Sequence, residues 1–137
     1  MRNLTLICCL LFSFKTLAGF SGTWRGNGEF YTHRSEGLCS DIFLEIEDSE
    51  KTLKILTGYY ICGYIQAEYP SSVFEKVQGE LLYNGEKVGN YSKKSFNLHY
   101  LNGVYQLKIV KKDGSLVFHE FWKDEASLLD IKAKLFN

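Results

Sequence analysis

Three dipeptides near the C-terminal end constrain this chain more than any other feature: Asn84-Gly85, Asn102-Gly103 and Asp113-Gly114. Both central residues of a type I′ turn need positive φ, which Asn-Gly and Asp-Gly tolerate, so each pair marks a tight β-hairpin. Three such hairpins in succession imply an antiparallel meander. No charge block, low-complexity tract or linker interrupts the strand-like segments, which fall at 20–31, 38–47, 52–62, 64–68, 72–77, 79–83, 86–91, 95–101, 104–111, 115–122 and 128–136. The last reads as a strand rather than a helix, because Leu129, Ile131, Ala133 and Leu135 alternate with Asp130, Lys132 and Lys134. Eight to ten antiparallel strands predict an all-β fold, an up-and-down barrel whose closure removes exposed sheet edges. Composition agrees. Aromatic residues make up 15% of the chain, hydrophobic residues 45% and charged residues 23%, with a single proline, a balance that favours a packed β-rich core over disorder.

The N-terminal segment has a different character. Met1-Arg2-Asn3 is a short basic start, residues 4–14 form an apolar run, and Thr16-Leu17-Ala18 places small residues where a signal peptidase reads them. As a helix the apolar run would rise only about 16 Å, half the hydrocarbon core of a bilayer, so a removable signal peptide over 1–18 fits better than a membrane anchor. Neither Cys8 nor Cys9 follows a small residue, which argues against a lipid anchor. The expectation is an exported single domain over 19–137, periplasmic if bacterial and otherwise secreted. Removing Arg2 and Lys15 leaves 14 basic against 16 acidic residues, a net of −2, so nucleic acid is not an expected partner.

Export would leave Cys39 and Cys62, which in an oxidising compartment most simply form one disulfide; two buried free thiols are the alternative. Alternation in the flanking residues offers a geometric test. Ile42, Leu44 and Ile46 share one face of their segment, with Cys39, Asp41, Glu45 and Glu47 on the other. Leu53, Ile55, Tyr59 and Ile61 share a face of the next, opposite Lys54, Tyr60 and Cys62. A hairpin through Asp48-Ser49-Glu50-Lys51 that pairs Glu47 with Lys54 also pairs Cys39 with Cys62. It places both pairs on the polar face and leaves two apolar inner stripes. The bridge would close about two dozen residues, worth about 3 kcal/mol in the chain-entropy account.

The Asn102-Gly103 hairpin lets an inner wall be read. A two-residue loop pairs Tyr100 with Tyr105, Leu98 with Leu107 and Phe96 with Ile109, while Asn97, His99, Gln106 and Lys108 take the outer face. Two registers are open for the Asp113-Gly114 hairpin. A two-residue turn sets Leu107 opposite Glu120 and puts a carboxylate in the wall. A three-residue loop with a glycine bulge sets Leu107 opposite His119 and turns Glu120 outward. Burying an unpaired carboxylate costs far more than burying a neutral imidazole, so the bulged register is favoured. In either register one ionisable group, His119 or Glu120, faces an apolar lumen, and the lumen candidates are Phe96, Leu98, Tyr100, Tyr105, Leu107, His119 and Glu120.

Motifs for familiar chemistries are missing. The sequence contains no Gly-x-Ser-x-Gly elbow, no His-Glu-x-x-His and, beyond residue 18, no Cys-x-x-Cys; the Gly26-Asn27-Gly28 stretch lacks the third glycine of a dinucleotide loop, and His33, His99 and His119 show no metal-ligand spacing. Neither a catalytic site, a metal nor a cofactor is implied. The opening Gly22-Thr23-Trp24-Arg25-Gly26-Asn27-Gly28 is the remaining signal. Its Gly-x-Trp resembles the start of lipocalins and their calycin relatives, and Gly-Thr-Trp-x-Gly-x-Gly is similar to that of nitrobindin-like domains. The resemblance implies a lipocalin-like barrel with Trp24 as a structural plug at the closed end. It also implies a basic residue over that Trp, here Lys132 or Lys134. Haem is not implied, because no histidine follows His119. The functional expectation is a monomeric, non-enzymatic barrel that binds a small apolar or amphipathic ligand in its lumen. The alternative is a protein-interaction barrel, resembling the small periplasmic lysozyme inhibitors in size and single disulfide, acting through an exposed loop at 31–37 or 68–72 with Tyr69-Pro70 as an anchor.

Overall fold

The computed structural model describes residues 19–137, so the proposed signal peptide lies outside the described residues. Eleven antiparallel strands follow one another: β1 (Gly22–Thr32), β2 (Glu36–Asp48), β3 (Thr52–Cys62), β4 (Ile65–Tyr69), β5 (Ser72–Val77), β6 (Glu80–Tyr83), β7 (Glu86–Tyr91), β8 (Ser95–Tyr100), β9 (Tyr105–Lys112), β10 (Ser115–Lys123) and β11 (Leu128–Phe136). Each pairs with its neighbour in sequence except at β4, and β11 pairs with β1 to close a ten-stranded up-and-down barrel with β4 as an added strand. The three hairpin dipeptides take positive φ at both residues, as their chemistry requires. A fourth such turn, Gln78-Gly79, joins β5 to β6.

β4 and β5 lie along the same edge of β3 in one continuous register, with Cys62 opposite Ile65, Gly58 opposite Tyr69, Ile55 opposite Ser72 and Thr52 opposite Glu75. They are in effect one long strand interrupted at Pro70 and Ser71, where proline cannot donate to a ladder. Only the β5 half gains a second partner. β6 is four residues long and stops at the level of Phe74, so among the described residues no strand pairs with the far edge of β4. The wall is therefore low on that side, and the barrel opens between β4 and the tips of β8, β9 and β10.

The β2–β3 hairpin has the expected pairs, Cys39 with Cys62 and Glu47 with Lys54, and the disulfide is formed. Its facing differs from expectation. One extra residue on each strand, Ser40 on β2 and Leu56 on β3, bulges outward, and the two bulges cancel in register. Each reverses the side-chain parity beyond it, since a one-residue slip exchanges the two faces of a strand. Cys39, Tyr60 and Cys62 consequently point into the core, and the bridge is buried rather than on the polar face. Tyr59 is outside, stacked on Phe43 with ring centroids 5.5 Å apart, its hydroxyl donating to Asp41 at 2.7 Å.

Toward the closed end the lumen is solid. Phe20, Leu44, Leu53, Phe74, Leu81, Phe96, Ile109, Leu116, Phe118 and Leu135 are buried there, and Ile42 and Ile131 are buried at the level of Tyr60 and Glu120. Residues 19–21 cross the barrel end below β1. Phe20 packs edge-on against Phe96 at 4.9 Å and accepts from Trp24 Nε1 at 2.8 Å, so Phe20 and Trp24 together plug this end. The plug has its own polar tie. Asp48 is buried, and its Oδ2 accepts from the Phe20 backbone N–H at 3.0 Å and the Tyr91 hydroxyl at 2.7 Å, while Lys76 donates to Oδ1. The expected basic cover for Trp24 is not supplied by Lys132 or Lys134. Both are exposed, and the Lys134 ammonium lies over the outer Phe136 ring.

Candidate functional site

The open half of the lumen is set by the β9–β10 register. Asp113-Gly114 forms the two-residue turn, pairing Lys112 with Ser115, Ile109 with Phe118, Leu107 with Glu120 and Tyr105 with Trp122. The favoured three-residue loop is therefore wrong, and with it the inward placement of His119. His119 stands on the outer face between Lys108 and Lys132, with Nε2 2.8 Å from Asp130. Glu120 is the inward group, 2% exposed. The cost that favours a bulge is that of an unpaired carboxylate, and Glu120 is paired. Tyr69 and Tyr105 both donate to its Oε1, the latter at 2.6 Å, and the Tyr60 hydroxyl faces the same group.

Four strands converge to build this cluster. Tyr105 begins β9 next to its cross-strand partner Tyr100, and Glu120 follows from the tight turn two pairs away. Tyr60 reaches inward because of the Leu56 bulge. Tyr69 ends β4 at the interruption before Pro70, where its ring packs at 6.0 Å from that of Tyr60. The 68–72 loop therefore does not present Tyr69 as an exposed anchor; its hydroxyl is spent on Glu120. At the rim Trp122 packs against Tyr105 with ring centroids 6.2 Å apart, and its indole N–H donates to Asp124 Oδ2 at 3.1 Å. The other oxygen of Asp124 accepts from the N–H groups of Ala126 and Ser127 and from the Ser127 hydroxyl, which together hold its carboxyl down to about pKa 2.

These residues line a cavity of about 340 Å³. Its floor is Ile55, Phe74, Leu98 and Leu107; its sides are Tyr60, Ala67, Tyr69, Tyr100 and Tyr105; Glu68, Pro70, Ser72 and Trp122 reach its edge. Of the lumen residues predicted from sequence, Leu98, Tyr100, Tyr105, Leu107 and Glu120 meet here. Phe96 is buried lower, against Phe20, and His119 is outside. The sequence-based reading missed Tyr60 and Tyr69, the first because of the bulge and the second because that reading ends the strand at Glu68 and places Tyr69 in the 68–72 loop. Burial shifts the ionisations in one direction. Desolvation raises Glu120 above the ordinary carboxyl value, opposed by the hydroxyls of Tyr105, Tyr69 and Tyr60. Desolvation also raises Tyr69, Tyr105 and Tyr60, reinforced by the Glu120 charge, and pushes Tyr100 up to about 12, so all four phenols are neutral donors at pH 7.

A second depression, of about 440 Å³, lies on the outer surface beside Tyr31, Glu36, Leu38 and Lys132. Its walls are exposed side chains of mixed charge. Against known protein families and curated proteins, the chain matches no family model and no curated protein.

Proposed function

We propose that the protein is an exported, lipocalin-like carrier that binds one small amphipathic molecule at the open end of its barrel and performs no chemistry on it. The observation that carries this reading is the 340 Å³ cavity, closed below by apolar side chains and holding one buried carboxylate with neutral phenols around it. That size and composition, an apolar wall with a few convergent polar groups, is the usual make-up of a small-molecule site. The plugged end supports a carrier rather than a channel, since Phe20 and Trp24 leave the lumen a single mouth. Native mass spectrometry of protein purified without denaturation tests the reading, together with displacement of an uncharged, environment-sensitive dye. A one-to-one adduct or saturable dye uptake is expected, lost in a folded Ala67→Trp variant that fills the cavity. Dye uptake unaffected by Ala67→Trp would refute it.

One observation favours a second reading. Tyr31 and Leu38, 51% and 74% exposed, flank the β1–β2 turn, and Tyr64, 72% exposed, lies in the β3–β4 turn at the same mouth end; an interaction barrel would present such a tip to a protein. Inhibition of a lysozyme that is abolished by Leu38→Asp, with the cavity empty, would replace the carrier reading by this one.

A further inference from the structure

The two ends of the barrel repeat one constellation, complete at one end and incomplete at the other. At the closed end a buried carboxylate, Asp48, accepts from a tyrosine hydroxyl, and an ammonium group completes it: Lys76 Nζ donates to Asp48 Oδ1 and sits 3.7 Å from the centroid of the Tyr91 ring. At the open end a buried carboxylate, Glu120, accepts from the hydroxyls of Tyr69 and Tyr105, and aromatic rings surround it, but none of the residues lining the cavity is Lys, Arg or His. Among the described residues the only other charged one at the lining is Glu68, which is exposed and lies opposite Tyr59 on the outer face.

The hydrogen bonding shows which atom is left over. The Tyr69 and Tyr105 bonds both end on Oε1; the Tyr60 hydroxyl faces the carboxyl from beyond direct hydrogen-bond geometry, and among the described residues no hydrogen bond ends on Oε2. No sealed side-chain nitrogen or oxygen among the described residues is without a partner, so Oε2 opens on the cavity. Two hydroxyls donating to one oxygen stabilise the ionised carboxylate, and burial of that charge without a counter-charge is costly. The aromatic residues Tyr60, Tyr69, Tyr100, Tyr105 and Trp122 line the same space, and an aromatic ring attracts a cation placed over its face.

We propose that the ligand of this cavity is an organic cation, an amphipathic amine or quaternary ammonium whose nitrogen sits against Glu120 Oε2 and whose hydrocarbon body lies on Leu98 and Leu107. The proposal rests on the carrier reading above and narrows it. The ligand supplies the positive charge that Lys76 supplies at the other end. A fatty acid is disfavoured, because its carboxylate would meet that of Glu120 with no cation to separate them.

A matched series with one hydrocarbon tail tests this by calorimetry at pH 7: octylamine, octyltrimethylammonium, octanol and octanoate. The expected order places at least one of the two cations about tenfold or more tighter than octanol, with octanoate weakest. In Glu120→Gln that advantage is expected to vanish while octanol affinity stays within about threefold, since only the charge is removed. Octanol or octanoate binding as tightly as both cations would overturn the proposal and leave the carrier reading standing. An unchanged cation preference in a folded Glu120→Gln would also overturn it. Failure of all four compounds to bind, with the uncharged dye also excluded, would overturn the carrier reading itself. The ranking in the unsubstituted protein decides the matter if Glu120→Gln does not fold.

Discussion

Removing the Cys39–Cys62 bridge gives the sharpest test of how the barrel is held. The two residues are 23 apart in sequence, and the bridge closes the β2–β3 hairpin. In the chain-entropy account a loop of that length constrains the unfolded chain by about 3.4 kcal/mol at 25 °C. The 119 residues from 19 to 137 unfold with an entropy of about 2.1 cal/mol/K per residue, so that loss lowers Tm by about 14 °C. Both sulfurs are buried, and replacing them with methyl groups in Cys39→Ala/Cys62→Ala adds a packing loss to the entropic one. The total expected is about 4–5 kcal/mol. Urea unfolding of the oxidised protein and the double variant measures it. The variant should show a lower midpoint and a somewhat larger m-value, because its unfolded chain is less compact. A Tm drop below about 5 °C, or an unchanged midpoint, would refute the reasoning and place the bridge's role outside stability.

Other outcomes follow from the same contacts. A Cβ on Gly28 would lie 2.1 Å from the Lys132 carbonyl oxygen and 2.6 Å from Ala133 Cβ, so Gly28→Ala must push β1 off β11 and is expected to cost about 3 kcal/mol or more in thermal melts. Gly85→Ala, at φ +81 with open space around it, should cost only the left-handed strain of about 1–2 kcal/mol; equal losses would show that closure of the barrel at β1 is not tight. Asp48→Ala strands the Lys76 ammonium, the Tyr91 hydroxyl and the Phe20 N–H together, and about 3–5 kcal/mol is expected in urea unfolding, against much less for a surface pair such as Lys54–Glu47. Burial raises the Glu120 carboxyl in the folded state, so as pH rises above its ordinary value of 4.5 the folded protein holds a proton the unfolded chain has lost. Stability from this group is present below that pH and is lost as pH climbs through the raised native value. Relative to Glu120→Gln, the unsubstituted protein should therefore lose stability with rising pH, and parallel pH–stability curves for the two would refute the assignment.

Much of the architecture was legible because the signals were local. Asn-Gly and Asp-Gly dictate their own turns, so the β8–β9 register and its inner face of Phe96, Leu98, Leu107 and Ile109 could be written down from the sequence. Parity was a weaker guide wherever a bulge intervened. Ser40 and Leu56 carry no signal that marks them as extra residues, and Leu56 is an apolar residue placed outside, so the alternation of β3 read Tyr59 and Ile61 as inner and Tyr60 and Cys62 as outer when the reverse holds. The pairing of Cys39 with Cys62 survived because two bulges on opposite strands offset one another, a coincidence of geometry that no local pattern announces.

The Glu120 register shows where a sound local argument reaches its limit. An unpaired carboxylate in an apolar wall is more costly than an imidazole, and on β9 and β10 alone the bulged loop would win. What reverses the order is a partner 51 residues away in sequence: Tyr69, at the end of a strand that only one half of β3 holds, donates its hydroxyl to Glu120. Among the described residues β4 has no second neighbour because β6 stops at the level of Phe74, and this opens the mouth above the carboxylate. Position of the charge thus comes from the β9–β10 turn, satisfaction of one oxygen from Tyr69 on β4, and access to the other from the short β6. A longer β6 that paired along β4 would be expected to close the mouth while leaving the Tyr69–Glu120 bond in place.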